Sequence, residues 1–460
     1  MIGKKADLHA LVSHNHVRFL DESRVAVADH DGITIHDIEK GLIERKIVIG
    51  EPGPLIFWPR TERGDVNEIH GIRGDGSSFI YNLLTDKLKV LALVSEKVVH
   101  LSGIVDHKIA LLTSSGRIQI AEVNQRKVLE TFSVEDPTNI DSILGIELLK
   151  NSWIILRHAT SIEIRNYSKK GCPLEKIIKV ESGLSCMKYE PSTDKLILGD
   201  SLGRMHVVTN LYLPQHSMQT CHWHASAIKA VGTLPGGTTI VSGGKEGVVV
   251  FWKDENTRKD FCPRLDGEIA QIILDESGQY ICVVFANNRF RVLLVSNFQS
   301  IYVWSSLYLA EPKQNSTILW KGNSVISGED GMIKIVSKAD NGNSLSVREI
   351  NICGRNTINH QPGASSRIYI SSLNMQSEYL CAVETNIVNS ERIDKLKFFK
   401  IERSEGDKMV PMDTYVDPHG SSIISIAVYG QSFVSISESG HFIEWNLFRE
   451  NPNSQLVVIY

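Results

Sequence analysis

A glycine followed two and four residues later by apolar side chains recurs along this chain. Gly116 precedes Ile118 and Ile120, Gly203 precedes Met205 and Val207, Gly247 precedes Val249 and Phe251, and Gly331 precedes Ile333 and Ile335; looser copies stand at Gly32, Gly76 and Gly440. Glycine enters positive φ without steric cost, so each copy reads as a tight turn feeding a strand with alternate side chains buried. The separations are 44, 40, 87, 44, 84 and 109 residues, so the third and fifth gaps hold two units each and the last holds two plus an insertion. The turns missing from the series fall at Ala159-Thr160 and Asn287-Asn288, where asparagine tolerates left-handed geometry nearly as well as glycine.

The fullest copy runs from His222 to Leu265. It reads H-W-H-A-S-A-I-K-A-V, L-P-G-G, I-V-S-G-G-K-E-G-V-V-V-F-W and F-C-P-R-L. Period-2 apolar runs on either side of Pro235-Gly236-Gly237 and of Lys245-Glu246-Gly247 predict three short strands joined by turns. The period of roughly 43 residues lies within the ~40–45 of a WD-type β-propeller blade, and about ten blades are expected. Ten neither close one seven-bladed ring nor fill two. Six units end at Trp252, which places a first, complete seven-bladed propeller at residues 1–255, its seventh blade finished by an N-terminal strand around Leu8 to Val12. A second, shortened and incomplete propeller then occupies residues 256–460, with four units from Phe261 to Tyr460 and an irregular stretch between Ser337 and Gln376. The fold class is all-β.

Composition limits the function classes. At 460 residues, 42% hydrophobic and 22% charged, the chain can bury a large core. With 49 basic against 53 acidic residues the net charge is −4, so no global field drives it onto nucleic acid or a membrane, and any contact with RNA has to be local. The seven cysteines are never spaced as C-x-x-C and mostly sit in apolar strand patterns, which fits buried thiols in a reducing compartment. No run approaches the ~18 apolar residues of a membrane span, and the opening M-I-G-K-K-A-D-L lacks the apolar core of a signal peptide.

Several constellations carry chemical letters without chemical context. Cys221-His222-Trp223-His224 puts three potential metal ligands in four residues, but no second pair stands at zinc spacing, and a blade-initial histidine bonded within its own blade is the commoner arrangement. Gly199-Asp200-Ser201-Leu202 matches a serine hydrolase signature, yet the downstream Asp-x-x-His is absent and the segment falls on a strand-turn-strand. Gly243-Gly244-Lys245-Glu246 hints at a phosphate loop, but Glu246 occupies the hydroxyl position and a strand follows where a helix is needed. No catalytic residue, metal site, cofactor or small-molecule substrate is therefore expected. One basic cluster, Arg157, Arg165, Lys169 and Lys170 with Tyr167 interleaved, offers contacts to RNA phosphates, although a solvated blade rim has the same composition.

The Trp-Asp dipeptide never occurs; Trp252 is followed by Lys253 and Trp445 by Asn446. Resemblance to a family rests instead on His222-Trp223-His224, on Ser242-Gly243-Gly244 continuing to Trp252, on Phe261-x-Pro263-Arg264-Leu265, on Leu396-Lys397-Phe398, and on Asp417-Pro418-His419-Gly420 followed by Gly440 and Trp445. In this order the segments resemble the tandem-propeller WD-repeat subunit of the UtpA subcomplex of the small-subunit processome, the U-three-associated protein seventeen family. The N-terminal half matches only by blade pattern. In that family the second propeller continues for further blades and a C-terminal helical region follows, whereas this sequence stops shortly after Trp445, as a pared-down orthologue or a shortened gene model.

The resemblance implies a non-catalytic scaffold in the nucleolus that acts on nascent pre-ribosomal RNA at the 5′ external transcribed spacer. It links rRNA transcription to processing, with the other WD-repeat subunits of UtpA and the U-three small nucleolar ribonucleoprotein as partners and no membrane. The fold alone would equally suit a WD-repeat adaptor of another complex, such as a ubiquitin ligase or a vesicle coat.

Overall fold

Alternation along single strands sets the architecture. In Tyr280–Phe285 the side chains of Ile281, Val283 and Phe285 pack into one apolar cluster while Cys282 and Val284 pack into another, so both faces of the sheet are buried. A sheet of this kind is stable only between two others. The computed structural model describes residues 17–28, 32–49, 55–57, 67–122, 127–133, 142–253, 257–265, 267–286, 289–305, 317–320, 322–327, 332–338, 345–352, 366–388, 390–402 and 408–446. Among these, ten antiparallel sheets follow one another along the chain, nine of four strands and the last of three, each built from consecutive strands. This is the WD-type propeller organisation, and Gly203 and Gly247 hold the predicted turns at φ +79°. Gly32 differs from expectation: it opens the strand Gly32–Asp37 and serves close approach, because a Cβ there would collide with the backbone of Ile47.

The chain divides into two units after Trp304. The first holds seven blades. Blade 1 comprises Val17–Phe19, Arg24–Ala28, Gly32–Asp37 and Leu42–Val48; blade 6 comprises Ile228–Thr233, Ile240–Gly244, Val249–Lys253 and Arg258–Phe261; blade 7 comprises Ile269–Leu274, Tyr280–Phe285, Arg289–Leu294 and Ser300–Ser305. Every neighbouring pair shares an apolar cluster. Ala26 and Ile33 of blade 1 cluster with Phe79 of blade 2, Ile72 with Ile109 and Leu111, Ile120 with Ile154, Ile164 with Leu198, Ile197 with Ile240, and Phe251 of blade 6 with Ile281 of blade 7. The cycle closes where Cys282, Val284 and Phe290 of blade 7 pack on Val17, Val25 and Val27 of blade 1. Each fully buried side chain of this size contributes about 1.5–3 kcal/mol.

A polar contact marks the same seam. Buried His36 shares a 2.9 Å hydrogen bond with the hydroxyl of Tyr302 and stands edge-on to Phe290 and Trp304, each with its centroid 5.2 Å away. Burial pushes the Tyr302 phenol up to about 12, so it stays neutral.

This corrects the boundary expected at residues 255 and 256. The seventh blade is residues 269–305, the unit after blade 6, and the ring closes by side-chain packing of two complete sheets. The expected closing strand around Leu8 to Val12 lies outside the described residues.

The second unit therefore holds three sheets, among the described residues, where four were expected. Blade 8 comprises Thr317–Trp320, Asn323–Ser327, Met332–Lys338 and Leu345–Asn351, blade 9 comprises Ser366–Gln376, Tyr379–Val388, Glu391–Glu402 and Lys408–Val416, and blade 10 comprises Ile423–Tyr429, Ser432–Ser437 and Phe442–Asn446. Alternation works here as in the ring: Leu380 and Ala382 face the blade 8 side while Cys381 and Val383 face blade 10. The far side of blade 10 leaves Ile436 and Phe442 exposed, so the second propeller is incomplete among the described residues.

Candidate functional site

The segment 222–265 is built around a buried hydrogen-bond relay. His224, in the connection entering blade 6, turns inward to zero exposure beside Ser242 and Trp252, which are equally buried. Trp252 Nε1–H donates to Ser242 Oγ at 2.8 Å, Ser242 Oγ lies 2.7 Å from His224 Nε2, and His224 Nδ1 bonds the Glu246 carboxylate. A carboxylate can only accept, so Nδ1 carries the hydrogen, and Nε2 then accepts the Ser242 O–H. The relay ties the entering loop to the second and third strands and to the turn between them. Gly243 and Gly244 are dictated by what lies over them. A Cβ at Gly243 would stand 2.7 Å from Ile269 of blade 7, and one at Gly244 would collide with the Glu246 carboxylate reaching toward His224.

Blade 10 repeats the arrangement. His419 Nε2 lies 2.8 Å from Ser435 Oγ, which accepts from Trp445 Nε1 at 2.7 Å. Asp417-Pro418-His419-Gly420 is the turn that delivers His419, with Asp417 at φ +48° and Gly420 at φ +62°. Ser439 stands where blade 6 has Glu246, and His419 Nδ1 has no partner there. Serine and tryptophan are ten residues apart in both blades, a spacing that would have revealed the relay from the sequence.

Blade 5 uses a buried aspartate for the same purpose. Asp200 Oδ2 accepts from Arg204 Nε at 2.8 Å, from His206 Nε2 at 3.1 Å and from Ser182 Oγ, while Oδ1 accepts the backbone N–H groups of Leu202 and Arg204. Burial pushes this carboxyl up, but the donors outweigh it and hold the group well below the usual carboxylate range. His206 has its other nitrogen 2.9 Å from Thr220 Oγ1. Both ring nitrogens are thus engaged away from Ser201, and the hydrolase-like letters at 199–202 form a turn around Asp200.

The remaining candidates separate by environment. Arg165 is buried and spends its guanidinium on Glu163 Oε2, at 3.0 and 2.9 Å, and on the Cys172 carbonyl at 3.3 Å. Arg157 donates to the carbonyls of Leu144 and Leu184, joining blade 4 to blade 5. The structure gives these two arginines internal roles in place of the phosphate contacts expected of them. Lys169 pairs with Glu175 but keeps an exposed side chain, and Lys170 is exposed. Around Cys221-His222-Trp223-His224 the would-be ligands diverge: His224 points inward with both nitrogens bonded, while His222 and Trp223 are exposed. Pro263 and Arg264 are exposed, whereas Leu265 is buried and its N–H donates to the Gly247 carbonyl at 2.8 Å. Burial pushes the thiols of Cys172 and Cys262 up to about 11, which suits structural cysteines. The sequence reading placed Glu246 only in the Lys245-Glu246-Gly247 turn and missed its bond to His224, and it missed the Asp200 network, whose partners are dispersed over 25 residues from Ser182 to His206.

Two outcomes follow from these networks. Ser242→Ala leaves Trp252 Nε1–H and His224 Nε2 without partners at zero exposure and should cost about 2–4 kcal/mol in urea unfolding; a loss no larger than that of an exposed serine would contradict the relay. The Asp200 carboxyl is depressed in the folded state, so its stabilisation is complete above the unfolded value of about 3.9 and is lost as pH falls through the lower folded value. Thermal midpoints of the native chain should therefore drop steeply below about pH 4. Those of Asp200→Asn should start lower and fall less steeply, and parallel curves would remove Asp200 from the acid transition.

Residues 120–288 match the family model of the first β-propeller of WD repeat-containing protein 75. The match runs past residue 255 into blade 7, in keeping with the seven-blade unit. The chain is 23% identical over 280 residues to U3 small nucleolar RNA-associated protein 17 of Schizosaccharomyces pombe, covering 57% of this chain and 33% of that protein. It is 30% identical over 111 residues to WD repeat-containing protein 75 of Mus musculus, and 28% identical over 115 residues to that of Homo sapiens, covering 24% and 25% of this chain and 13% and 14% of those proteins. The aligned parts span a third or less of these curated relatives. By fold, by the matched propeller and by these relatives, the chain is a WD-repeat β-propeller protein similar to WD repeat-containing protein 75 and U3 small nucleolar RNA-associated protein 17.

Proposed function

We propose that this protein is a non-catalytic scaffold of ribosome biogenesis, a subunit of the small-subunit processome that assembles on nascent pre-rRNA in the nucleolus and supports rRNA transcription and processing. The observation that carries this reading is the similarity over 280 residues to a protein named for its association with U3 small nucleolar RNA. Its partners are the other WD-repeat subunits of UtpA, the 5′ external transcribed spacer and the U-three small nucleolar ribonucleoprotein.

The physics of the ring supports such a role. The networks around Asp200 and Ser242 are structural, and a propeller offers surface: blade rims and two ring faces, each able to supply the roughly 800 Å² per partner of a standard interface. A net charge of −4 makes contact with RNA local, and Lys169 and Lys170 are exposed cations suited to phosphates. Depleting the protein should lower small-subunit rRNA while large-subunit rRNA holds steady. Equal levels of both, or a cytoplasmic location of the tagged protein, would count decisively against this function.

A further inference from the structure

His224 turns into the blade, and the residue before it turns out. Trp223 is 40% exposed and stacks on Phe261, itself 43% exposed, with ring centroids 4.5 Å apart and planes 32° from parallel. The two rings pack on each other and each keeps part of its surface in water, while Trp223 also meets buried His224 edge-on at 5.4 Å. Trp223 follows the fourth strand of blade 5, Ser217–His222, and Phe261 ends the fourth strand of blade 6, so the pair bridges two neighbouring rims. The interior contact between these blades is already made by Ile197, Met205 and Val207 against Ile228, Ile240 and Val250. A stacked aromatic pair left half in water beside a complete core is the kind of surface that binds something.

The charges around the pair indicate what. Lys259 lies two residues before Phe261 on the same strand face, with its ammonium 5.2 Å from the Trp252 ring centre. Arg258 and His222 are exposed nearby in the chain, and exposed Arg264 donates to the Glu246 carbonyl beside the turn that holds His224. Among the described residues the acids beside the pair are committed: Asp260 lies 2.6 Å from Lys253 Nζ, and Glu246 bonds His224. The exposed part of the aromatic pair thus stands on a strand that also carries Arg258 and Lys259.

We propose that Trp223 and Phe261 form a stacking platform for single-stranded RNA, one base lying on the exposed part of the aromatic pair and the flanking phosphates reaching Lys259, Arg258 and Arg264. The proposal deepens the RNA-associated function above and rests on it.

The test is fluorescence anisotropy of the full chain with a labelled twelve-nucleotide oligoadenylate across a salt series. Trp223→Ala and Phe261→Ala should each weaken binding about tenfold, and Trp223→Phe should restore most of it. Lys259→Gln should reduce the slope of log affinity against log salt by about 0.7. Circular dichroism and an unchanged thermal midpoint confirm that the exposed substitutions leave the fold intact. Native binding untouched by all these substitutions would overturn the platform while leaving an RNA role elsewhere on the chain. No binding by the native chain would overturn both. Loss of polyglutamate binding, with oligoadenylate binding unaffected, would reassign the surface to an acidic protein partner.

Discussion

Every blade of this protein is apolar on both faces, and that single constraint organises the rest. Alternate residues of one strand serve opposite neighbours, as Ile281 and Val283 serve blade 6 while Cys282 and Val284 serve blade 1. A sheet so built cannot stand at the end of a row without exposing an apolar face, so a row of such sheets is stable when its last member meets its first. Seven do so here. The seam is no weaker in kind than the other six interfaces, and it adds the His36–Tyr302 hydrogen bond to the packing of Phe290.

Polar groups inside the blades supply register where apolar packing supplies cohesion. In blade 6 tryptophan, serine, histidine and glutamate lock a loop to two strands and a turn; in blade 5 Asp200 gathers five donors to the same end. Such groups would be costly to bury unpaired, so each network favours one arrangement of its blade over alternatives. It also fixes the direction of adjacent side chains. Because His224 must face inward, Trp223 is held outward at the rim, and a motif that looks like one recognition feature separates into a structural half and a surface half.

Much of this was legible in the sequence. The glycine period marked the turns, Ile228–Thr233, Ile240–Gly244 and Val249–Lys253 fell where alternation put them, and the number of repeat units matched the number of sheets. The division between propellers was not, because a repeat count cannot tell which unit closes a ring. That depends on whether Val25 and Val27 meet a strand from residues 269–305 or one from elsewhere, a contact between residues more than 250 apart. Arg157 and Arg165 misled for a related reason. Basic letters on a strand do not reveal whether the guanidinium faces solvent or a carbonyl of the next blade, and here both face inward partners.

Native-state hydrogen exchange at the seam tests this account most directly. If seven blades close through packing of blade 7 on blade 1, the amides of Arg24–Ala28 and Tyr280–Phe285 are protected to the same degree as those of Ile240–Gly244 within the ring. Early, joint exchange of the first two strands while the third stays protected would show an open row of blades and contradict it.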